Sequence, residues 1–204
     1  MKEIENFITH NEAKYLMNMI DKFANKSMVV GSGKTINEYH KSRTSYTSNL
    51  WSNDPTVETL HKRIAKYLGQ PLHKGESLQG QRYNKGQYFR SHNDYFKGNS
   101  YDKNCLSSGN RTYTFMLYLN DDFSGGTTNF PHLNKEIKPL ACKAVVWNNL
   151  QHGVPNEYMQ HSGEEVTEGT KYIITSWWRE NTWTIGADYK EYEQKLKNQQ
   201  LSII

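Results

Sequence analysis

The texture of the chain changes at Gly75, and that change does most to limit what it can fold into. Two helical patterns come before it. From Asn11 onward Tyr15, Leu16, Met19, Ile20 and Phe23 recur at helical spacing, and Thr9 with Glu12 resembles a capping box. A second pattern covers 55–68 and is stopped by Gly69 and Pro71. After Gly75 come short strand-like runs at 77–83, 88–94, 111–120, 143–147 and 170–179, separated by clusters of Gly, Asn, Asp and Pro. Helices first and many short strands afterwards argue for an antiparallel sandwich or barrel with the helices packed on one face.

A chain of 204 residues suits one domain with its own core. Hydrophobic residues make up only 35%, but 13% are aromatic, and large rings bury much area per residue, so a packed core is expected rather than disorder. The net charge of +4 is scattered. Its densest stretch, His61-Lys62-Arg63, falls in the second helical pattern and reads as a solvated helix face, which argues against a nucleic-acid partner. Cys105 and Cys142 are too few for a disulfide framework or a zinc site and read as ordinary thiols. No apolar run approaches the ~20 residues that span a bilayer, and residues 1–10 lack an apolar signal core. A cytoplasmic chain without a membrane partner is the expectation. There are no repeats or low-complexity tracts to mark an internal boundary.

The chemistry starts at His92-Asn93-Asp94, at the end of a strand-like run. Residues i and i+2 share one face of a strand, so an imidazole and a carboxylate would converge there. That is two thirds of the two-His, one-carboxylate face that holds non-haem Fe(II) while leaving positions open. Alone, the motif reads better as a surface His–Asp pair, since chance gives roughly 0.3 such triplets in a chain of this composition. His161 and Lys171, ten residues apart, change the balance. The run KYIITSWWR alternates so that Lys171, Ile173, Thr175 and Trp177 share a face. A lysine among apolar and aromatic neighbours is expensive unless it meets an anion, here the carboxylate of a co-substrate. His152 is the alternative third ligand, but the spacing to Lys171 favours His161.

From residue 4 to about residue 180 the chain resembles the prolyl 4-hydroxylase family of Fe(II)/2-oxoglutarate-dependent dioxygenases. The likeness runs through IENFITHNEA, SRTS at 42–45, QRYNKGQYFRSHNDYF at 81–96, GNRTYTFMLYLND at 109–121, GGTTNFP at 125–131 and HSGEEVTEGTKYIITSWW at 161–178. Relatives with an Arg in the place of Lys171 include the oxygen-sensing prolyl hydroxylases and nucleic-acid demethylases. The lysine points to the collagen-type and small algal, viral or bacterial branch. The implied fold is mainly β with flanking helices: a double-stranded β-helix, the cupin-like jelly roll, with N-terminal helices packed on one sheet. One dioxygenase domain over 1–185 follows, with a helical part at 1–75, a jelly-roll core at 76–180 and a tail at 186–204.

The resemblance implies His92, Asp94 and His161 as iron ligands. It implies Lys171, Tyr83 and Thr128 around 2-oxoglutarate, with Trp177 close to both metal and co-substrate. Arg111 matches an arginine that holds the peptide. Two departures bear on that peptide pocket: Phe89 stands where relatives often have Tyr, and Arg179 where they often have His. A third is Thr127, after the double glycine that Glu usually follows. The implied cofactors are Fe(II), 2-oxoglutarate, dioxygen and ascorbate, and the implied reaction is C4 hydroxylation of prolyl residues in a peptide or protein, with succinate and carbon dioxide as co-products. Another substrate, such as free proline, or a non-catalytic binding module of the same fold are the alternatives. The expected assembly is a monomer or a homodimer. The polar segments 27–48 and 97–110 are expected to be long loops that close over substrate.

Overall fold

A computed structural model describes residues 1–27, 42–50 and 53–184. Helix α1, His10–Phe23, starts as the sequence says: Thr9 accepts from the Glu12 amide while the Glu12 carboxylate accepts from the Thr9 amide at 2.8 Å. Helix α2, Pro55–Leu68, is capped by the Asp54 side chain, has proline in its first turn, and ends at Gly69 in the left-handed region with φ 63°.

Among the described residues the strands form two main sheets and two short pairs. The larger sheet holds β1 (Lys2–Ile4), β2 (Asn25–Lys26), β3 (Tyr46–Asn49), β4 (Gln79–Asn84), β6 (Arg111–Tyr118), β10 (Ala144–Asn148) and β15 (Thr170–Arg179), in the order β1-β10-β6-β15-β4-β3-β2. The smaller holds β5 (Phe89–His92), β8 (Thr128–Phe130), β9 (Lys135–Ile137) and β13 (His161–Gly163), in the order β5-β13-β8-β9. The pairs are β7 (Ser124–Gly125) with β14 (Val166–Glu168), and β11 (Leu150–Gln151) with β12 (Val154–Pro155). Every pairing is antiparallel, as a jelly roll requires.

The larger sheet separates two apolar clusters. On one face Leu16 and Ile20 of α1 and Leu60 and Ile64 of α2 pack on Leu117, Ile174 and Trp178. On the other, Tyr83, Met116, Tyr118, Trp147 and Ile173 meet Phe130, Ile137 and Val166 from the second layer. The alternation read in KYIITSWWR is the cause: its even-numbered residues reach the helices and its odd-numbered ones face inward.

Three expectations need correction. The part before Gly75 is not only helical, since β1, β2 and β3 join the larger sheet; strands of two to four residues are too short to show a period. Residues 46–48 of the expected first loop belong to β3, and its stretch 28–41 lies outside the described residues, as does the tail at 186–204. The second expected loop carries a helix, α3 (Asn99–Asn104), and is closed at its base by Asn110, which bonds both the amide and the carbonyl of Phe96 at 2.9 Å.

Gly80 on β4 lies beneath Ile20 of α1, and any Cβ there would run into that side chain. Gly80→Ala should therefore destabilise the protein by about 1–3 kcal/mol. Urea denaturation checks this; an unchanged midpoint would mean that α1 is free to shift.

Candidate active site

The pairing of β5 with β13 builds the site. Their register sets His161 directly opposite His92, with ring centroids 4.3 Å apart. Asp94, just past β5, lies with its Oδ1 3.7 Å from His92 Nε2 and its Oδ2 3.8 Å from His161 Nε2. The three ligating atoms lie within 4.8 Å of one another, close enough to hold one metal ion. His152 sits exposed in the turn between β11 and β12.

Both imidazoles are set in the same way. Nδ1 of His92 is bonded to the Arg90 carbonyl at 2.8 Å, and Nδ1 of His161 to the Met159 carbonyl at 2.9 Å. A carbonyl only accepts, so each Nδ1 carries the proton and each Nε2 offers its lone pair toward Asp94. Burial, reinforced by the neighbouring His161, lowers the His92 pKa to about 3, so the ring is neutral and able to ligate. Burial alone would raise the Asp94 pKa, but His161, His92, Arg111 and the Thr114 hydroxyl outweigh it and hold the carboxyl below its usual range. Two imidazoles and a carboxylate, half-enclosed, fit a divalent first-row metal that keeps open positions.

Lys171 lies in the same cavity as the triad and is only 2% exposed. Its ammonium donates to the Gly126 carbonyl at 2.6 Å and stands 5.3 Å and 5.4 Å from the ring centres of Tyr83 and Tyr118. No carboxylate pairs with it among the described residues. Burial pulls its pKa down to about 7. Gly126, at φ 63°, permits the close approach, because a Cβ there would crowd Phe123 and the Lys171 stem. Tyr83 faces Lys171 across the β4–β15 pairing, and Thr128 shares a 2.6 Å hydrogen bond with the Tyr118 hydroxyl. The indole nitrogens of Trp147 and Trp177, two more cavity residues, are buried without a hydrogen-bond partner among the described residues.

Phe89 stacks on His92 with centroids 3.7 Å apart and carries Arg43 on its ring at 4.9 Å. Arg111 and Arg179 are placed on a buried carboxylate and not on the cavity wall. Arg111 makes a bidentate pair with Glu76 at 2.7 and 2.9 Å, and Arg179 bonds the same carboxylate. Burial would raise the Glu76 pKa, but the two guanidinium groups outweigh it and lower it. Arg111 still reaches inward, stacking on Trp177 at 3.9 Å, while Arg179 ties down the segment around α3 through the carbonyls of Asn104 and Gly109 at 2.9 Å. Sequence reasoning did not single out Glu76, Gln81, Met116 or Trp147. For Gln81 and Met116 a signal existed, since both pair with odd-numbered residues of β15 and so face inward with them.

A jelly roll with two histidines and a carboxylate lining one cavity with a buried lysine, which has no carboxylate partner among the described residues, has the layout of a mononuclear non-haem iron oxygenase. Comparison with known proteins agrees. The family model "2OG-Fe(II) oxygenase superfamily" matches residues 78–179. A protein of Acanthamoeba polyphaga mimivirus, assigned as a prolyl 4-hydroxylase, is 30% identical over 184 residues, covering 87% of this chain and 73% of the relative. Prolyl 4-hydroxylase 1 of Arabidopsis thaliana is 28% identical over 194 residues, covering 87% and 68%. In fold, the viral collagen prolyl hydroxylase of Paramecium bursaria Chlorella virus-1, solved with 2-oxoglutarate, superposes with a TM-score of 0.68 at 24% identity, covering 87% of this chain and 94% of that one. The chain belongs to the 2OG-Fe(II) oxygenase superfamily, as a 2-oxoglutarate-dependent dioxygenase of the prolyl 4-hydroxylase type.

Asp94→Ala should weaken manganese(II) binding, measured by equilibrium titration in place of iron, by more than about a hundredfold. His152→Ala should leave it unchanged. The reverse pattern would move the third ligand to the exposed turn.

Proposed function

We propose that the protein hydroxylates C4 of prolyl residues in a peptide, with Fe(II) held by His92, Asp94 and His161 and 2-oxoglutarate held by Lys171. The observation that carries this reading is that the triad shares one cavity with a buried lysine that has no carboxylate partner among the described residues. Iron, 2-oxoglutarate and dioxygen together supply the oxidising power, with succinate and carbon dioxide as co-products. The protein supplies aim and exclusion of water. Lys171 offers a charge-assisted bond to the far carboxylate of the co-substrate, backed by Tyr83 and Thr128. The indole N–H groups of Trp147 and Trp177, without a partner among the described residues, are two further donors for bound oxygens in the same cavity. Ascorbate serves as the reductant that keeps the metal ferrous.

For the substrate, an open groove walled by Tyr88, Arg90, Ser162 and Glu164 meets the cavity at Phe89 and Gly163. An extended proline-containing segment suits such a groove better than free proline, which would leave it unfilled. Phe89 gives the proline ring an apolar wall. Arg43, its side chain bonded to the hydroxyls of Ser45 and Thr47, has no carboxylate partner among the described residues and lies on the cavity wall, where a peptide carboxylate or carbonyl could meet it.

The lysine gives this reading a pH signature. With a pKa near 7 in the ligand-free protein, against 10.5 for a free lysine, Lys171 is mostly neutral at pH 8. A bound dicarboxylate favours the charged form, so binding takes up a proton above about pH 7 and none well below it. Calorimetry of 2-oxoglutarate binding to the manganese-loaded protein at pH 8, in buffers of different ionisation enthalpy, should register uptake approaching one proton, and much less at pH 6. Buffer-independent heats at pH 8 would remove Lys171 from the carboxylate. Lys171→Ala should raise the Michaelis constant for 2-oxoglutarate about tenfold to a hundredfold.

The direct test offers proline-rich peptides with Fe(II), 2-oxoglutarate and ascorbate, and follows succinate formation and peptide mass. Peptide-stimulated turnover with one added oxygen on a prolyl residue is the expected outcome. Turnover of 2-oxoglutarate that no peptide stimulates would discard the peptide substrate and keep the oxygenase.

A further inference from the structure

Behind Asp94 stand two buried polar residues that the sequence does not single out, Thr114 and Asn149, at 0% and 1% exposure. The Thr114 hydroxyl donates to Asp94 Oδ2 at 2.7 Å, and the Asn149 side-chain amide donates to the same hydroxyl oxygen at 2.8 Å. The direction of this chain is fixed by chemistry. An amide nitrogen only donates, a carboxylate only accepts, and a hydroxyl has one proton. With its oxygen accepting from Asn149, Thr114 has its proton left for Asp94.

Both donors are held rigidly. Thr114 sits in β6 with Trp147 of β10 opposite it on one side and Trp177 of β15 on the other. Asn149 is anchored by its own backbone, whose amide donates to the Thr112 carbonyl at 2.8 Å and whose carbonyl accepts from the Asn156 amide at 2.9 Å. Asp94, by contrast, lies beyond the end of β5, outside any strand. Its carboxylate would turn about the Cβ–Cγ bond if nothing held it.

We infer that Asn149 and Thr114 form a one-way hydrogen-bond relay that fixes the orientation of the Asp94 carboxylate for the metal. Both are positioning residues: neither touches metal or substrate, and both act through Asp94. The inference rests on reading Asp94 as a ligand, and it adds the part of the protein that keeps one Asp94 oxygen occupied and the carboxylate plane still. Partners of this kind commonly set metal affinity as strongly as a ligand's own identity does.

The test is equilibrium titration of the metal-free full chain with manganese(II), together with the visible absorption spectrum of the cobalt(II) form. Thr114→Val keeps the shape and removes the donor. Thr114→Ser keeps the donor. Asn149→Asp leaves Thr114 in place but draws its proton away from Asp94. The Val and Asp variants should bind manganese about tenfold to a hundredfold more weakly and shift the cobalt bands, while the Ser variant returns close to the parent on both. A merely structural role would lower the unfolding temperature without moving the cobalt bands. Parent-like manganese affinity in Asn149→Asp would overturn the relay, and so would a loss in Thr114→Val that Thr114→Ser does not restore. If Thr114→Val fails to fold, the other two variants decide. Asp94→Ala separates the two readings: parent-like binding there refutes the ligand assignment, whereas loss there alone refutes only the relay.

Discussion

The antiparallel pairing of β5 with β13 is the interaction on which the site depends. It sets the two imidazoles side by side from strands 69 residues apart along the chain (His92 and His161). A slip of one residue would turn His161 to the opposite face of the sheet and leave His92 with Asp94 alone. The register is secured from the far side of β13, where Ser162 and Gly163 pair with Asn129 and Thr128 of β8. The same four-stranded sheet therefore delivers both histidines and, through Thr128, part of the wall near Lys171. Local chemistry completes what the pairing starts, since each ring is locked by a carbonyl two residues upstream.

A polar cavity of this kind needs apolar support. In β15 the support and the cavity are alternate residues of one strand: Tyr172, Ile174 and Trp178 lie on the helix-covered core, while Lys171, Thr175 and Trp177 line the cavity. Helices α1 and α2 cover the outer face of the larger sheet so that its inner face can carry groups that would otherwise be expensive to bury. The charges behind the triad are handled by pairing. Glu76 serves two guanidinium groups, and those in turn stack on Phe96 and Trp177. A carboxylate shared in this way anchors a strand end to the segment around α3.

Much of this was legible in the sequence where a period or a cap could speak. The capping box at Thr9, the proline start and glycine stop of α2, and the two faces of β15 all follow from local pattern and all appear in the structure. His92, Asp94, His161, Tyr83, Thr128, Lys171 and Trp177 all line one cavity. What pattern does not carry is partnership between distant residues. Glu76 gives no periodic signal, yet its carboxylate pairs with both Arg111 and Arg179. Helix α3 is invisible for a different reason: six residues give less than two turns, and no side chain caps its start at Gly98. Thr114 reads as one more polar residue in a strand until Asp94 and Asn149 are seen on either side of it.

The approach of Gly126 to Lys171 has a consequence for how this cavity can vary. The Gly126 carbonyl takes one of the three ammonium protons, and the missing side chain leaves just enough space for the aliphatic stem, with Phe123 closing the other side. A guanidinium at 171 would have to lay a planar fork where glycine and phenylalanine already meet the chain. Lysine and glycine at these two positions are thus a single steric solution. In related sequences a change at either should be accompanied by a change at the other.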